Sequence, residues 1–417
     1  MSGTSKTSSM RGTGARSMGW LALALLTGLN LFNFIDRYVL PGAQPLIQKQ
    51  FHANDAQMGL LTNAFFFVYM LAAPLTGWLG DRLPRKPLIV AGAVLWSVAT
   101  LLTGVVHSYT ALLIRHAIVG VGEATFSVFA PALLADYFPE SARNRVYSLF
   151  YLTIPVGGAI GYILGGVLGQ HYGWRAPFYV SAAPGLLIAL LLWWLVEEAP
   201  RGQADRYAAT WERNTLRGLF RNKLFWSATL GLATWTFAVG GLSAFLPTFF
   251  VRFGGDSVAR AGLLAGAITV VAGIGGTALG GWLGQLWLRR NAGGLYLISA
   301  WGSLLAIPAG MLVFFGPRGL LFPAALVAEL LLFLGTGPLN ASIVNSVAAP
   351  VRSTAIALNL LTIHLLGDAF SPALIGLVSD HSSLRIGMSM TLFALVLSGG
   401  LLFLGGRLMN LAARAAA

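Results

Sequence analysis

Eight ionisable side chains interrupt long apolar stretches of this sequence, and these are the residues whose types could support chemistry. They are Asp36, Arg37, Arg115, His116, Glu123, Glu329, His364 and Asp368. Arginine presents a planar fork of donors that suits phosphate, whereas a carboxylate or an imidazole can take up and release a proton. Because a charge in hydrocarbon costs about 2.5–3.5 kcal/mol on insertion scales, each of the eight needs a structural or functional reason.

The composition shows which elements must position these groups. Apolar residues make up 56% of the 417 residues and charged residues only 10%, whereas soluble proteins have roughly 25% charged residues. Such a chain could not cover a water-exposed surface, so we predict an integral membrane protein. Twelve stretches of membrane-spanning length follow one another: 18–40, 56–79, 87–106, 111–134, 145–168, 175–195, 224–250, 261–284, 294–315, 320–345, 353–378 and 386–406.

The formal net charge of +13 comes from basic residues that collect on one side of these spans. With both termini inside, 19 of the 27 Lys and Arg residues fall in cytoplasmic segments and six in outer loops. This is the positive-inside pattern, so the charge needs no nucleic-acid partner. We therefore expect a multi-pass protein of the plasma (inner) membrane with both termini cytoplasmic. The absence of cysteine rules out a thiol nucleophile, and the histidines lack metal-ligand spacing.

The chain divides into two related halves. The motif GWLG at Gly77–Gly80 recurs at Gly281–Gly284, and LTI at Leu152–Ile154 recurs at Leu361–Ile363. Offsets of 204 and 209 residues are close to half the chain, which indicates a parallel repeat of six spans. We predict an all-α fold of two six-helix bundles, with a tail at 1–17, bundles at 18–196 and 224–406, a linker at 197–223 and a tail at 407–417. In the linker, Arg206, Arg213, Arg217 and Arg221 have the spacing of a basic amphipathic helix, with a solvated linker as the alternative.

The loop after the second span carries the run GWLGDRLPRK. This run resembles the major facilitator signature G-x-L-x-D-R-x-G-R-K, with Pro84 in place of the second glycine. A carboxylate at a helix end can meet cations and a neighbouring helix N-terminus only when the inner side is closed, which suits a conformational latch. A basic loop that merely sets topology is the alternative. The expected latch residues are Gly77, Asp81, Arg82, Arg85, Lys86 and Arg143.

Four longer segments resemble the spinster-homologue family within that superfamily. They are NFIDRYV at 33–39, VGVGEATFSVFAPALLADYF at 119–138, LFYLTIPVGGAIGYILGG at 149–166 and HLLGDAFSPALIGLVSD at 364–380. The resemblance implies a secondary transporter of lysophospholipids or sphingoid phosphates that is proton-coupled. The family usually places arginine at the position of His116, with Arg115 one residue earlier here.

Helix rise sorts the ionisable residues by depth. Asp36 and Arg37 lie toward the outer end of the first span, Arg115 and His116 lie at a similar level on the fourth, and Glu123 lies about 12 Å deeper. We predict that Arg37, Arg115, His116 and Glu123 bind substrate, with the cations holding a phosphate headgroup. The expected proton-coupling residues are Asp36, Glu123, His364, Asp368 and Glu329.

Structural alternatives remain for several of these groups. Arg115 could extend to the outer surface, Asp36 could form a bridge between helices, and His364 with Asp368 could be a packing pair at helical spacing. Glycines at four-residue spacing, from Gly157 on the fifth span and from Gly276 on the eighth, indicate either a sliding surface between bundles or static packing.

The predicted function is therefore secondary transport by alternating access, with no cofactor, no metal and no catalytic residues. The expected partners are an amphipathic lipid or small-molecule substrate, protons and the bilayer, and the protein is expected to be a monomer. A drug or organic-anion exporter of the same fold is one alternative. A lipid-modifying membrane enzyme is a second, although the sequence lacks a metalloprotease or nucleotide-binding motif.

Overall fold

The computed structural model describes residues 6–80, 82–200, 218–347 and 352–416. It contains twelve helical segments long and apolar enough to cross a membrane, which confirms the predicted number of spans. We label them α1 to α12 in chain order: Lys6–Phe51, Asp55–Gly80, Arg85–Thr103, Tyr109–Tyr137, 140–172, Ala176–Leu195, 223–254, Val258–Leu288, Gly294–Phe315, 318–345, 352–381 and Leu384–Ala416.

Three spans contain a π-helical turn near the interface between the bundles. In α5 the turn is Leu164–Leu168, in α7 it is Phe250–Gly254, and in α11 it is His364–Asp368. Such turns leave the regular hydrogen-bond ladder and often occur at functional sites. Gly367 in α11 has φ −108° and ψ −108°, a break that re-aims the neighbouring side chains.

The helices form two bundles of six, α1–α6 and α7–α12, which meet along α2 with α11, α5 with α8, and α1 with α7. The α2–α11 and α5–α8 pairs occupy corresponding positions of the predicted repeat. We call the side that carries residues 196–200 and 218–222 the linker side, and the side that carries residues 104–108 and 316–317 the opposite side. The predicted amphipathic helix falls largely on residues 201–217, outside the described residues.

The glycine stripes lie within the bundles, so their predicted role as a sliding surface is wrong. A Cβ on Gly161 would come within 2.5 Å of the Ile35 carbonyl oxygen of α1, and one on Gly280 would meet α10. These stripes let helices of the same bundle approach closely. The close approach between bundles uses other glycines, such as Gly262 of α8, where a Cβ would lie 2.5 Å from the Tyr162 carbonyl oxygen of α5.

Candidate functional site

An ion pair joins α1 to α4 in the middle of the first bundle. The Arg37 Nε donates to Glu123 Oε2 at 2.5 Å, and Glu123 is fully buried while the Arg37 side chain keeps 16% of its exposure. Burial removes both charges from water, so the pair is stable only while both partners remain charged. The Arg37 side chain is therefore mostly, but not completely, shielded from solvent.

Aromatic rings surround the Arg37 guanidinium. Its Cζ lies 5.0–5.1 Å from the ring centroids of Phe34, Phe65 and Tyr69. A cation over aromatic faces gains electrostatic stabilisation, and the rings restrict where the arginine can move. His116 packs on the same Phe65 ring, with centroids 5.5 Å apart. Tyr69, which the sequence analysis does not single out, is therefore part of the site.

A second polar pair faces this arginine from the other bundle. The His364 Nδ1 lies 2.9 and 3.2 Å from the two carboxyl oxygens of Asp368, so the predicted contact between these two side chains is observed. The two residues lie on a π-helical turn rather than on a regular α-helix. The His364 ring stacks on Phe66 at 5.8 Å and meets the Tyr69 ring edge at 5.5 Å. Tyr69 thus contacts both Arg37 and His364, which links the ionisable groups of the two bundles.

The remaining predicted residues are more dispersed. Asp36 is buried and points toward α3 and α6, where it accepts from the Thr100 hydroxyl at 3.4 Å. Asp36 and Arg37 thus serve different helix interfaces, as neighbours about 100° apart on a helix should. One terminal nitrogen of Arg115 is buried and has no hydrogen-bond partner among the described residues.

An apolar cavity lies in the second bundle beside Glu329. Counting the space at its mouth, it measures about 760 Å³, and it is lined by α7, α8, α9, α10 and α12 together with Tyr38 and Tyr162 of the first bundle. Glu329 accepts from the Thr269 hydroxyl at 2.8 Å, and its second oxygen is buried without a hydrogen-bond partner in the described chain. The lining is mostly apolar, with hydroxyl groups and the Glu329 carboxyl among it, which is the composition that suits an apolar ligand with a polar end.

Polar contacts between the bundles cluster on the opposite side. Arg252 of α7 donates two hydrogen bonds of 2.6 Å to Asp55 of α2, a bidentate geometry that is the strongest form of this pair. Asp55 also accepts from Ser379 at 2.5 Å and from Gln48 at 2.7 Å. Sequence reasoning missed this carboxylate because an acidic residue at a helix start is the usual capping pattern.

On the opposite side, two helix N-termini are each capped by a side chain from the other bundle. The Asp380 carboxylate of α11 accepts from the backbone N–H groups of Asp55 and Ala56 of α2, both at 2.9 Å. In the corresponding place of the repeat, the Gln170 side chain of α5 accepts from the backbone N–H of Ala259 of α8 at 2.8 Å. We call these two contacts the trans-caps, and both satisfy N–H groups that a helix start leaves unpaired.

The basic residues of the predicted latch lie on the linker side. Arg85 forms an ion pair with Asp136 and a 3.1 Å hydrogen bond to the Ala132 carbonyl, both on α4. The Lys86 ammonium donates to the Val196 carbonyl at 2.6 Å, and Arg143 donates to the Ala135 and Phe138 carbonyls. These contacts hold the first bundle together on this side. Asp81 lies outside the described residues.

Comparison with known proteins places the chain in a family. The model of the Major Facilitator Superfamily matches residues 26–372. Protein spinster homolog 1 of Homo sapiens is 35% identical over 390 residues, which cover 87% of this chain and 73% of the relative. The chain belongs to the spinster-homologue family of this superfamily. It is therefore a multi-pass membrane transporter, as the sequence predicted.

Two further spinster relatives bear on substrate and conformation. Sphingosine-1-phosphate transporter SPNS2 of Danio rerio is 33% identical over 417 residues, covering 93% of this chain and 82% of that protein. A bacterial homologue of the human lysosomal transporter Spinster, solved in an inward-facing and unoccupied conformation, superposes with a TM-score of 0.86. It is 26% identical, and the match covers 95% of this chain and 98% of the other.

Proposed function

We propose that this transporter moves single-chain, phosphate-bearing lipids by alternating access and couples their movement to protons. The observation that carries this proposal is the buried ion pair of Arg37 with Glu123, set beside Tyr69, which also contacts His364 of the second bundle. The spinster relative named as a sphingosine-1-phosphate transporter supports the substrate class.

The headgroup step is an exchange of partners at Arg37. A lipid phosphate presents several acceptor oxygens in the geometry that a guanidinium fork prefers, so it can replace the Glu123 carboxylate. The exchange leaves Glu123 buried without its cation, and a buried unpaired carboxylate gains stability by taking up a proton. Phosphate binding at Arg37 and protonation of Glu123 therefore favour each other, and this is the physical basis of coupling.

The second bundle contributes a proton site and the tail site. His364 lies against Tyr69, the residue that also contacts Arg37, so protonation of the His364–Asp368 pair changes the electrostatic field at the headgroup site. The apolar cavity beside Glu329 accommodates the hydrocarbon chain, whose burial contributes about 0.8 kcal/mol per methylene. Glu329 then lies where the polar and apolar parts of the lipid meet.

The conformational step separates the bundles on the opposite side. The Asp55–Arg252 ion pair and the two trans-caps lie there, whereas the Tyr162 hydroxyl of α5 donates to the Ser243 carbonyl of α7 at 2.6 Å nearer the middle of the helices. This distribution agrees with the inward-facing state of the bacterial spinster structure. We propose that the linker side is cytoplasmic, that the bundles span 18–196 and 224–406, and that the latch residues Gly77, Asp81, Arg82, Arg85, Lys86 and Arg143 close the linker side in the other state.

The experiment that tests the substrate class is thermal stabilisation by a panel of ligands. Purified protein is heated with lysophospholipids and sphingoid phosphates of graded chain length, with matched lipids that lack phosphate, and with lipophilic drugs. Binding to the folded state raises the melting temperature. We expect stabilisation only by the phosphate lipids, increasing with chain length as the cavity fills. A response restricted to drugs would assign the chain to the exporter alternative.

The Asp55–Arg252 ion pair, which we call the gate, can be removed to test the conformational step. Arg252→Ala leaves the Asp55 carboxylate, only 5% exposed, without its bidentate partner, and loss of a charge-assisted bond costs about 1.5–3 kcal/mol. The population with an open opposite side should therefore rise by roughly tenfold or more. The chain has no native cysteine, so spin labels at His107→Cys and Gly319→Cys report the distance between the bundles.

A matched control for the gate variant is available on the same side. Arg260→Ala removes an arginine that is 69% exposed and pairs with Asp256 at 3.1 Å within the second bundle. It should leave the distance distribution between the labels unchanged. Equal distributions for Arg252→Ala and Arg260→Ala would show that the Asp55 contact does not hold the gate closed.

A further inference from the structure

A groove on the surface of the second bundle lies where α9 and α12 meet on the linker side. Counting the space at its mouth, it measures about 860 Å³, and it is lined by Leu297, Phe403, Arg407, Asn410, Leu411 and Arg414. The main contacts of both helices are with other helices of the second bundle. Leu404 and Leu411 are 51% and 53% exposed, as apolar residues that face lipid are. The groove is therefore on the outer surface of the bundle, away from the space between the bundles.

One face of α12 supplies most of the lining. Four residues recur at spacings of four, three and four and therefore share a single stripe: Phe403, Arg407, Asn410 and Arg414. Phe403 lies one turn nearer the middle of the helix than Arg407 and packs edge-on against Trp301 of α9, with ring centroids 5.3 Å apart. The stripe thus changes from apolar to basic toward the end of α12, in the order in which a phospholipid changes from acyl chain to headgroup.

Asn410 is tied to the start of α9. Its Oδ1 accepts from the backbone N–H of Gly293 at 2.8 Å. The two helices are in close contact there, since a Cβ on Gly293 would lie 2.4 Å from the Gly406 carbonyl oxygen. Because the Asn410 oxygen already holds Gly293, the part of the amide left for a ligand is its NH2 group, which donates.

The other two polar side chains of the groove are also donors. Arg407 and Arg414 are exposed, and neither forms an ion pair with any residue that the structure describes. A guanidinium presents five N–H groups and no acceptor. The two residues lie about 10 Å apart along the helix axis, within the combined reach of two arginine side chains. The groove therefore offers several donors and two positive charges to one ligand, which selects an anion.

The helices around the groove carry no carboxylate that would offset this charge. The sequence has no Asp or Glu at 257–328 or at 381–417, which includes all of α8, α9 and α12. Arg289 and Arg290, which are exposed, stand shortly before Gly293 and add two positive charges on the same side. An anionic headgroup at the groove therefore meets only positive side chains on these three helices, and their summed field attracts it.

We propose that this groove binds a two-chain phospholipid of the bilayer whose headgroup carries a net negative charge. Arg407 and Arg414 bind the phosphate through charge-assisted hydrogen bonds, and the Asn410 amide donates a third. The acyl chains lie along Leu297 and Phe403. A free anion would leave the apolar half of the groove empty, and a zwitterionic lipid would bring a cation to two arginines. This lipid is distinct from the transported cargo, because the groove lies away from the space between the bundles.

Native mass spectrometry of the full chain in detergent, titrated with dioleoyl phosphatidylglycerol, tests this site. The wild type should bind this lipid more tightly than dioleoyl phosphatidylcholine. In Arg407→Gln/Arg414→Gln, the affinity of the tightest phosphatidylglycerol site should fall by about thirtyfold, because each basic residue near an anionic headgroup contributes a factor of about five. The control is Arg260→Gln/Arg318→Gln, which removes the same charge from exposed positions on the opposite side and should bind as the wild type does.

Asn410→Asp separates headgroup binding from packing. It keeps an oxygen for the Gly293 N–H but replaces the donor with a negative charge. Phosphatidylglycerol binding should therefore weaken, while the melting temperature without added lipid stays at the wild-type value. Equal affinity of the wild type for the two phospholipids would overturn the proposal, and so would equal phosphatidylglycerol affinity in the double arginine variant and its control. Displacement of the lipid by an equal concentration of inorganic phosphate would assign the groove to a free anion and overturn it as well.

Discussion

Arg37→Ala is expected to abolish transport of phosphate-bearing lysolipids in proteoliposomes. The substitution removes the proposed headgroup partner and leaves Glu123, which is fully buried, without its cation. Each charge-assisted hydrogen bond to the phosphate contributes about 1.5–3 kcal/mol, so losing a bidentate pair should reduce the initial rate by at least about 100-fold. Arg37→Lys should restore little, because an ammonium cannot form the bidentate contact or stack within the three rings.

The control for Arg37 is Arg175→Ala. Arg175 also lies over an aromatic ring, with its Cζ 4.4 Å from the centroid of Trp174, and donates to the Val106 carbonyl at 2.9 Å. It lies on the opposite side within the first bundle, so its loss should leave transport close to the wild-type rate. If Arg37→Ala transports lysolipid at the rate of Arg175→Ala, the guanidinium does not bind the headgroup.

Glu123→Gln and Asp36→Asn are expected to uncouple transport from the proton gradient. Each replacement keeps the shape of the side chain but removes the group that gains and loses a proton. Gradient-driven accumulation should disappear in both, whereas exchange of labelled for unlabelled lipid across the membrane should persist. In Glu123→Gln, Arg37 also loses its competing carboxylate, so the phosphate lipid should bind more tightly.

The pH dependence of binding has a definite sign. In the proposed exchange, Glu123 must release Arg37 before phosphate can bind, and protonation of Glu123 weakens their pair. Lysolipid affinity should therefore rise as the pH falls, and this rise should be lost in Glu123→Gln. Asp256→Asn, which alters a carboxylate within the second bundle, should keep the wild-type dependence. A proton gradient that still drives accumulation in both Glu123→Gln and Asp36→Asn would contradict the coupling scheme.

The sequence predicts the fold better than the site. Twelve apolar stretches specify twelve helices because hydrocarbon leaves a backbone few other ways to satisfy its hydrogen bonds. Depth along a helix placed Glu123 well below the outer cluster, yet the structure pairs it with Arg37, because a long arginine side chain spans more than one turn. Such pairings depend on how two helices are oriented relative to each other and on where their side chains point. The residue pattern within one helix does not predict either.

Other features of the site follow from contacts that lie far apart in the chain. The π-helical turn at His364–Asp368 and the break at Gly367 depend on packing of α11 against α7. Asp55 and Asp380 are separated by more than 300 residues, and nothing in either local sequence marks them as partners. The repeat offsets relate the two halves. They do not show that a carboxylate, Asp380, caps a helix in one half and that an amide, Gln170, caps the corresponding helix in the other.

The trans-caps have a consequence for how the two halves move. The two seams are related by the repeat, yet the α2–α11 seam carries the Asp380 carboxylate beside the α2–α7 ion pair of Asp55 with Arg252, whereas the α5–α8 seam carries the neutral Gln170 amide. Parting the first seam exposes several charges that water solvates strongly, whereas parting the second frees one weakly polar group. Salt and the pH on the opposite side should therefore act mainly on the α2–α11 seam. The two seams should then separate unequally, although the repeat relates them.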